Sequence, residues 1–477
     1  MAKTYLIDKS LCSRCGACFA ADKDAILSKD VMGFPILDGT TGVQKKELLN
    51  ACTGRLWNYR ELLDFVHGVD YPYVPSSPDK GSILRIGIAY AKKSDMREQG
   101  QSGGVSTTLL KSGLTSGLID SVLGVRRPDQ SNAASDPFKS EPFIARNADE
   151  LRQAAGSKYT ICSSLELLPE LEATSEAYAL SLLPCQTAGF QQMRKLGQVS
   201  ADKCKLIIGP FCGFNMEHTM GHEFASALEV DSKEVRGFAN RAGKFPGQTR
   251  LELASGKFIY VDRTAHRPLY RMFSPDRCFT CTDFTNELAD LSIADCWNRG
   301  PDQAYEYPEG AAWVLVRTQR GDDYLQAAIQ SGELEFIETP HDANEKYWVE
   351  SFRHRKVRAF NRVHLDQKAG KPVPEFDHPV PGFDSTYLRS DQTDLYFRNL
   401  FKHPTIRKLF LKYWLSACRD GASSSALAVK GYLSMHAFNH HAVLYSPLRL
   451  FFGSILVWLK ASKFGRFIKS LIGKDRK

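Results

Sequence analysis

From Ile83 onward, short apolar runs and amphipathic stretches take turns along the chain. "ILRIGIAYA" reads as a buried strand, "GGVSTTLLKSG" as a loop entering a helix, and "DSVLGVRR" as a second strand. "AYALSLLPC" predicts a strand ending at Cys185, followed by the helical "QTAGFQQMRKLG". "CKLIIGPFC" predicts another strand, ending at Cys212 before the helical "NMEHTMGHEFASAL". Strands that alternate with helices of this length predict an α/β domain with a largely parallel sheet. Both cysteines then fall at carboxyl ends of strands, where open α/β sheets gather ligands. After about residue 235 the pattern becomes mixed: "TRLELASGKFIYV" predicts a hairpin turning at Ser255-Gly256, and "LADLSIAD" and "AAWVLVRTQ" add strands.

The expected organisation has three parts. Residues 1–72 form a ferredoxin-like cysteine module, and "YPYVPSSPDKGS" (71–82) reads as a linker. Residues 82–367 form a mixed α/β core. Proline-rich "KAGKPVPEFDHPVPGFDS" (368–385) reads as a second linker, and residues 386–477 as a helical, basic C-terminal tail. The fold class expected is therefore α+β in the N-terminal module and α/β in the core.

Charge changes this picture little. The net charge is +8, but the last eighteen residues carry seven Lys or Arg against one Asp. The excess lies in the tail, and a basic nucleic-acid-binding body is excluded. "LRLFFGSILVWLKASKFGRFIKSLIGKDRK" is apolar over about a dozen residues, short of the roughly 20 that a spanning helix needs. Beyond it, Lys460, Lys463, Arg466 and Lys469 interleave with Phe464, Phe467, Ile468 and Leu471. Helical spacing separates charge from bulk, which suits a helix on an anionic membrane surface or one packed on a partner. "MAKTYLIDKS" has no apolar h-region, so the expected location is cytoplasmic, peripheral to the membrane at most, with the cysteines reduced.

In a reducing compartment, twelve cysteines read first as metal or redox ligands. "CSRCGACFAADKDAI" places Cys12, Cys15 and Cys18 at two-residue spacing, and then holds Asp22 and Lys23 where a bacterial ferredoxin has Cys-Pro. In two-cluster ferredoxins the fourth cysteine of each run ligates the other cluster. A module that has lost its second cluster can spare the cysteine at 22 but must keep the last one of its second half. Cys52, in "NACTGRL", is the sole cysteine between residues 19 and 161. Cys12, Cys15, Cys18 and Cys52 thus make one 4Fe–4S site; incidental thiols or zinc are the competing readings. A second set is scattered: Cys185, Cys212, Cys278 and Cys281. A lone C-x-x-C also suits zinc or a redox dithiol, and the residues alone leave these open. Cys162, Cys204, Cys296 and Cys418 read as buried structural thiols.

With these residues in view, the chain resembles the coenzyme F420 hydrogenase/dehydrogenase beta-subunit family, in its bacterial branch. The resemblance spans about residues 5–365. It rests on the cysteine run, "EQGQSGGVSTTLL", "AGSKYT", "LPCQ", "GPFC" and above all "CFTCTDFTNELADLSIAD" (278–295), with Asp283, Asp290 and Asp295 at motif positions. The sequence departs from the family at Ala294, where glycine is favoured. The resemblance implies a flavoprotein with FAD and iron–sulfur clusters, and makes the second set of cysteines a second 4Fe–4S site.

For the flavin, Ser102, Gly103, Gly104, Ser106 and Thr107 would cradle a pyrophosphate at a helix N-terminus, although a tight capping turn explains the loop equally well. Lys158 would meet a phosphate or the ring, Tyr159 would stack, and Ser157 lies beside them; a solvated lysine next to a core tyrosine is the plain alternative. Asn240, Arg241 and Lys244 could face substrate or flavin, and a polar turn explains them equally well. "FRHRKVRAFNR" (352–362) reads as a solvated helix face or an acidic-substrate site. No nucleophile–base pairing suggests hydrolysis.

The function expected is an FAD- and iron–sulfur-dependent reductase. It would take electrons from ferredoxin or another low-potential carrier, F420 among them, and pass them to a small-molecule acceptor, with surface-polysaccharide synthesis as one setting. The alternatives are an electron-input subunit of a larger hydrogenase- or dehydrogenase-type complex, and a zinc-stabilised non-catalytic protein.

Overall fold

The computed structural model describes residues 3–21, 27–37, 42–68, 75, 81–129, 135–266, 268–297, 307–308, 310–343 and 345–419. Asp22, Lys23, most of the 71–82 linker and the C-terminal segment from residue 420 lie outside the described residues.

An eight-stranded sheet organises the core. Its strands are β1 (Arg85–Ala91), β2 (Ser121–Arg126), β3 (Glu141–Ala145), β4 (Tyr178–Ser181), β5 (Cys204–Pro210), β6 (Leu291–Asp295), β7 (Ala312–Val316) and β8 (Leu334–Glu338). Their order is β8-β1-β7-β6-β5-β4-β2-β3. β2, β4, β5 and β6 pair in parallel. β3 pairs antiparallel with β2, β6 with β7, β7 with β1 and β1 with β8. The sheet is therefore mixed, where sequence alternation predicted a largely parallel one. The difference has a topological cause. A parallel neighbour needs a crossover, usually helical, and β2 runs to β3 with no described helix between them, as β6 does to β7.

Alternate residues along each strand feed two layers. Val122, Ala179, Leu206, Ile208 and Val314 pack under helices Val105–Thr115 and Gln319–Gln330. Their neighbours Leu123, Leu180 and Ile207 face helix Pro184–Lys195 and the N-terminal module, through Phe190, Met193, Ala17 and Ala51. Leu315 and Trp313 face Trp348 and Phe352.

A three-stranded antiparallel sheet (Val235–Ala242, Gln248–Leu253, Phe258–Val261) stands beside the large one. Its hairpin closes where expected, with Gly256 at φ +77 and its N–H donating to the Leu253 carbonyl. Helices Leu388–Phe401 and Pro404–Arg419 pack over this sheet through Phe401, Leu411, Trp414 and Leu415. The described start of the C-terminal region is thus built into the core. The 368–385 stretch is pinned as well: Glu375–Phe376 pairs in parallel with Leu56–Trp57.

The run "FRHRKVRAFNR" is not a solvated face. A π-helical turn, Arg353–Val357, joins two helical stretches; Arg353 and His354 stay exposed, whereas Lys356 in the turn and Arg358 and Arg362 in the next helix point inward. Arg358 donates to Asp391 at 2.6 Å and to Asp394 at 2.5 Å, and Arg362 to Asp394 at 3.1 Å. Arg271 reaches Asp394 at 2.7 Å. Lys356 pairs with Glu287, both buried. The signal that would have exposed this was present: Arg358 and Arg362 share a helix face, and Asp391 and Asp394 lie on one face of the facing helix.

The three arginines hold the Asp394 carboxyl below the usual carboxylate range, against the upward push of its burial. Replacing Asp394 with Ala leaves buried cations short of a partner. Unfolding by denaturant should then show a loss of about 3–5 kcal/mol, the range for breaking a buried ion pair from one side.

Candidate functional site: two thiol-lined cavities

The structure gathers the cysteines as two quartets, each lining its own cavity. Cys12, Cys15, Cys18 and Cys52 line the first, together with Ile7, Gly16, Gly33 and Gly54. Cys185, Cys212, Cys278 and Cys281 line the second, with Ser13, Ile161, Asn215, Arg277 and Arg355 also in its wall. Local structure explains the placements. Cys18 lies in helix Ala17–Ala21 and Cys278 in helix Asp276–Phe279. Cys185 is in the first turn of helix Pro184–Lys195, just past β4, and Cys212 is two residues beyond β5. The sheet's carboxyl edge therefore delivers both, as the strand pattern predicted.

Gly16 permits the turn in the first loop. It has φ +93, and a Cβ there would stand 2.8 Å from the Glu166 amide nitrogen. Arg14 also takes a left-handed φ of +54. Its guanidinium donates to the Met32 carbonyl at 2.6 Å and holds Glu217 of the core. Among the described residues no three His, Cys, Asp or Glu are placed to share a single ion. Each quartet instead rings a space.

The two cavities adjoin. Ser13 lines both. Thr53, next to Cys52, has its hydroxyl 3.5 Å from the Cys185 carbonyl. A Cβ on Gly189, one turn along the helix from Cys185, would sit 3.6 Å from the Cys15 sulfur.

Burial raises all eight thiol pKa values. Burial is the first cause at Cys12, raised to about 12, with the Cys52 charge next. Cys278 is raised to about 12 and Cys281 and Cys52 to about 11 in the same way. Cys185 goes up through burial and the charges of Cys15, Cys281, Cys212 and Cys278. Such groups become thiolates only beside strong positive charge, which a coordinated metal supplies. The donor sets therefore fit 4Fe–4S clusters: four thiols each, Cys12 buried and the other seven half-buried, around a space. Cys162 borders the second cavity, but its thiol lies near Ser164 and Lys29 and no ligand cysteine acts on it. Cys162, Cys204 and Cys296 are buried, as expected.

The loops singled out for a flavin converge on one another. Gln101 accepts a hydrogen bond from the Ser157 N–H at 2.9 Å and donates to the Arg241 carbonyl. Arg241 donates to both carboxylate oxygens of Asp295 at 2.9 Å and to the Gln101 carbonyl at 3.1 Å. Asn240 accepts from the Tyr159 N–H at 3.1 Å and from Arg127 at 2.7 Å. Ser106 and Thr107 are half-buried in the first turn of helix Val105–Thr115. The segment runs on from Lys158 and Tyr159 to Ile161 in the wall of the second cavity.

The glycines favour the plain capping-turn reading, and Lys158 is not the solvated lysine of its plain alternative. Gly103 and Gly104 have φ near +69 and +68, and added Cβ atoms would meet Ala311 and Met96 backbone, so the chain's own packing requires these glycines. Lys158 turns onto the carbonyls of Gln153, Ala154 and Ala155 at 3.3, 2.7 and 2.8 Å. Other features leave room for an anionic ligand. Ser102 Oγ and Asn240 Nδ2 are buried without a partner among the described residues. Burial pushes Lys158 down to about 7 and Arg127 to about 10. Asn240 and Arg241 lie in strand Val235–Ala242 beside these loops. Gln101, Arg127 and Arg277 were not singled out, and Arg355 only as part of the run 352–362. Arg277 carried a signal, since it directly precedes Cys278.

Two thiol quartets gathered beside an α/β sheet suit metal-bound centres. Comparison of the sequence places the chain more closely. Residues 87–169 match the N-terminal model, and residues 175–342 the C-terminal model, of the coenzyme F420 hydrogenase/dehydrogenase beta subunit, together just over half of the chain. The chain belongs to that family. It is 26% identical to the coenzyme F420 hydrogenase subunit beta of Methanothermobacter thermautotrophicus over 54% of this chain and 84% of the relative. It is 23% identical to a subunit of the F(420)H(2) dehydrogenase of Methanosarcina mazei, over 70% of this chain and 86% of that one. The coenzyme F420-dependent sulfite reductase of Methanocaldococcus jannaschii is 23% identical over 75% of this chain, which spans half of that relative's length. A chain of the F420-reducing NiFe hydrogenase complex of Methanosarcina barkeri aligns at a TM-score of 0.49 and 17% identity, covering 65% of this chain and 99% of that chain, too loosely to carry weight.

Two outcomes follow from these placements. Gly16→Ala forces a positive φ and a backbone collision, and should cost about 1–3 kcal/mol in denaturant unfolding. Lys158 is held low in the native state, whereas the unfolded chain keeps its proton up to about 10.4. Unfolding then takes up a proton, so this group adds stability as pH rises from about 7. Wild type should gain on Lys158→Met in melting temperature between about pH 7 and about pH 8.5, short of the thiol range.

Proposed function

We propose that this chain is an electron-exchange subunit of a larger F420-type oxidoreductase, holding two 4Fe–4S clusters and an FAD. One observation carries the reading: two cysteine quartets adjoin within a chain of this family. The relatives' names favour this alternative over a self-contained reductase feeding a small-molecule acceptor. Two are described as subunits, and the sulfite reductase is about twice the length this chain spans.

Cys12, Cys15, Cys18 and Cys52 would hold a ferredoxin-like N-terminal cluster, and Cys185, Cys212, Cys278 and Cys281 the inner one. Clusters supply single-electron passage and flavin supplies two-electron exchange with F420. The chain's own residues do the rest. Arg14 and Glu217 clamp the first loop to the core. Trp57 donates to Thr282 at 2.8 Å, fixing the N-terminal module beside the second C-x-x-C. Arg241 and Asp295 lock the loop carrying Gln101 against the segment carrying Ser157, Lys158 and Tyr159. Ser102, Arg127 and Lys158 would meet the anionic part of the flavin, and Gly103, Gly104, Ser106 and Thr107 the turn that presents it.

Among the described residues no helix is long and apolar enough to cross a membrane. The proposed membrane-surface helix lies outside the described residues.

Anaerobic purification should give a brown protein with about eight irons and one extractable FAD per chain, bleached by reduced F420. Affinity-tagged chain expressed in its native host should bring down a hydrogenase- or dehydrogenase-type catalytic subunit. About four irons would reduce the reading to one cluster. A colourless, folded, zinc-containing chain would replace it with the zinc-stabilised alternative.

A further inference from the structure

We propose that Arg277 is a counter-charge shared by the two cysteine quartets, setting the reduction potential of the centre in each, while Arg355 acts on the second alone. This rests on the two-cluster reading above.

Arg277 is 3% exposed and stands where the modules meet. Its guanidinium donates to Thr280 Oγ1 at 3.3 Å and to the Thr53 carbonyl at 3.5 Å, one residue from Cys52. It stacks over Trp57 at 4.8 Å and lines the cavity of Cys185, Cys212, Cys278 and Cys281. Every contact is to a neutral group, and no carboxylate pairs with it among the described residues. Arg277 thus touches the residue next to Cys52 of one quartet while its own chain neighbour is Cys278 of the other.

Arg355 lines the second cavity from another side. It makes no hydrogen bond or ion pair among the described residues, lying over Phe214 at 4.2 Å and Phe284 at 5.5 Å. A Cβ on Gly213, the residue after Cys212, would stand 3.1 Å from the Arg355 Nη2. The neighbouring cations differ: Arg14 has Glu217, Lys356 has Glu287, and Arg358 and Arg362 share Asp391 and Asp394.

A buried arginine stays protonated and is costly without an anion. Arg277 buried and Arg355 half-buried, both lining a thiol cavity without an anion, point to an anionic occupant, as a cluster bound by four thiolates is. Adding an electron adds negative charge, so a nearby cation stabilises the reduced form and raises the potential, with less screening in a dry interior.

Dithionite titration of the anaerobic full-length protein, followed by EPR, tests this. Wild type should show two reduction waves. Arg277→Gln should lower both midpoints, each by at least a tenfold change in the reduction equilibrium, about 59 mV for one electron. Arg355→Gln should lower one wave, and Arg277→Lys, which keeps the charge, should stay near wild type. The proposal is overturned if Arg277→Gln moves neither wave or only one, if Arg277→Lys shifts as far as Arg277→Gln, or if Arg355→Gln moves both waves equally. If Arg277→Gln sheds iron, full iron and wild-type midpoints in Arg277→Lys support the proposal, and iron loss in both overturns it. A wild-type chain without two waves fails the two-cluster reading itself, before any variant is made.

Discussion

The structure depends on reconciling two costs placed side by side. Eight thiols ring two cavities, and Arg277, buried, and Arg355, half-buried, line the second of them without a carboxylate partner among the described residues. Either alone is unfavourable: buried thiols resist ionisation, and a lone buried cation loses its hydration. In the function proposed, metal centres of net negative charge between them let each offset the other. On the proposed reading, the folded state of the N-terminal module is coupled to its occupant, because loss of the occupant would leave both costs standing.

The fold serves this arrangement by bringing distant segments to one edge. β4 and β5 end near the second cavity and supply Cys185 and Cys212, and the loop before β6 supplies the C-x-x-C pair. The N-terminal module is then held against that edge by independent contacts: Trp57 with Thr282, Arg14 with Glu217, and Glu375–Phe376 beside Leu56–Trp57. The close pass at Gly189, where an added Cβ would meet Ala17 at 3.2 Å and the Cys15 sulfur at 3.6 Å, leaves no room for an intervening side chain. The module and the core meet as one packed unit around the proposed relay.

The legible parts of the sequence were those governed by short spacing. The quartet in the first fifty-two residues followed from two-residue intervals and the rule for a missing second cluster, and the strands around Cys185 and Cys212 from hydrophobic runs. Strand direction was not legible, because parallel and antiparallel neighbours show the same apolar pattern when both faces are covered. Nor was the fate of the basic run 352–362. Whether its charges face water or the interior depends on Asp391 and Asp394, some thirty residues on and brought alongside by tertiary packing alone. The flavin loops were half legible: their glycines were seen, but the backbone of residues 89, 96 and 311 that crowds them comes from separate elements.

That same basic run shows how charge is apportioned between scaffold and site. Within eight residues the chain carries Arg355, Lys356, Arg358 and Arg362, and all four turn from bulk water. Asp391 and Asp394 neutralise Arg358 and Arg362 and take Arg271 as well, and Glu287 takes Lys356. Each neutralised pair contributes little net field at the cavity, since opposite charges at contact distance cancel beyond a few ångströms. Arg355, one turn from Arg358 but beyond the reach of those carboxylates, keeps its full charge and meets the thiols. The placement of acids on the C-terminal helix therefore decides which cation of this run, beside Arg277, the second cavity feels. Helix Leu388–Phe401, far from the cysteines in sequence, is in this sense part of the electrostatic design of the site.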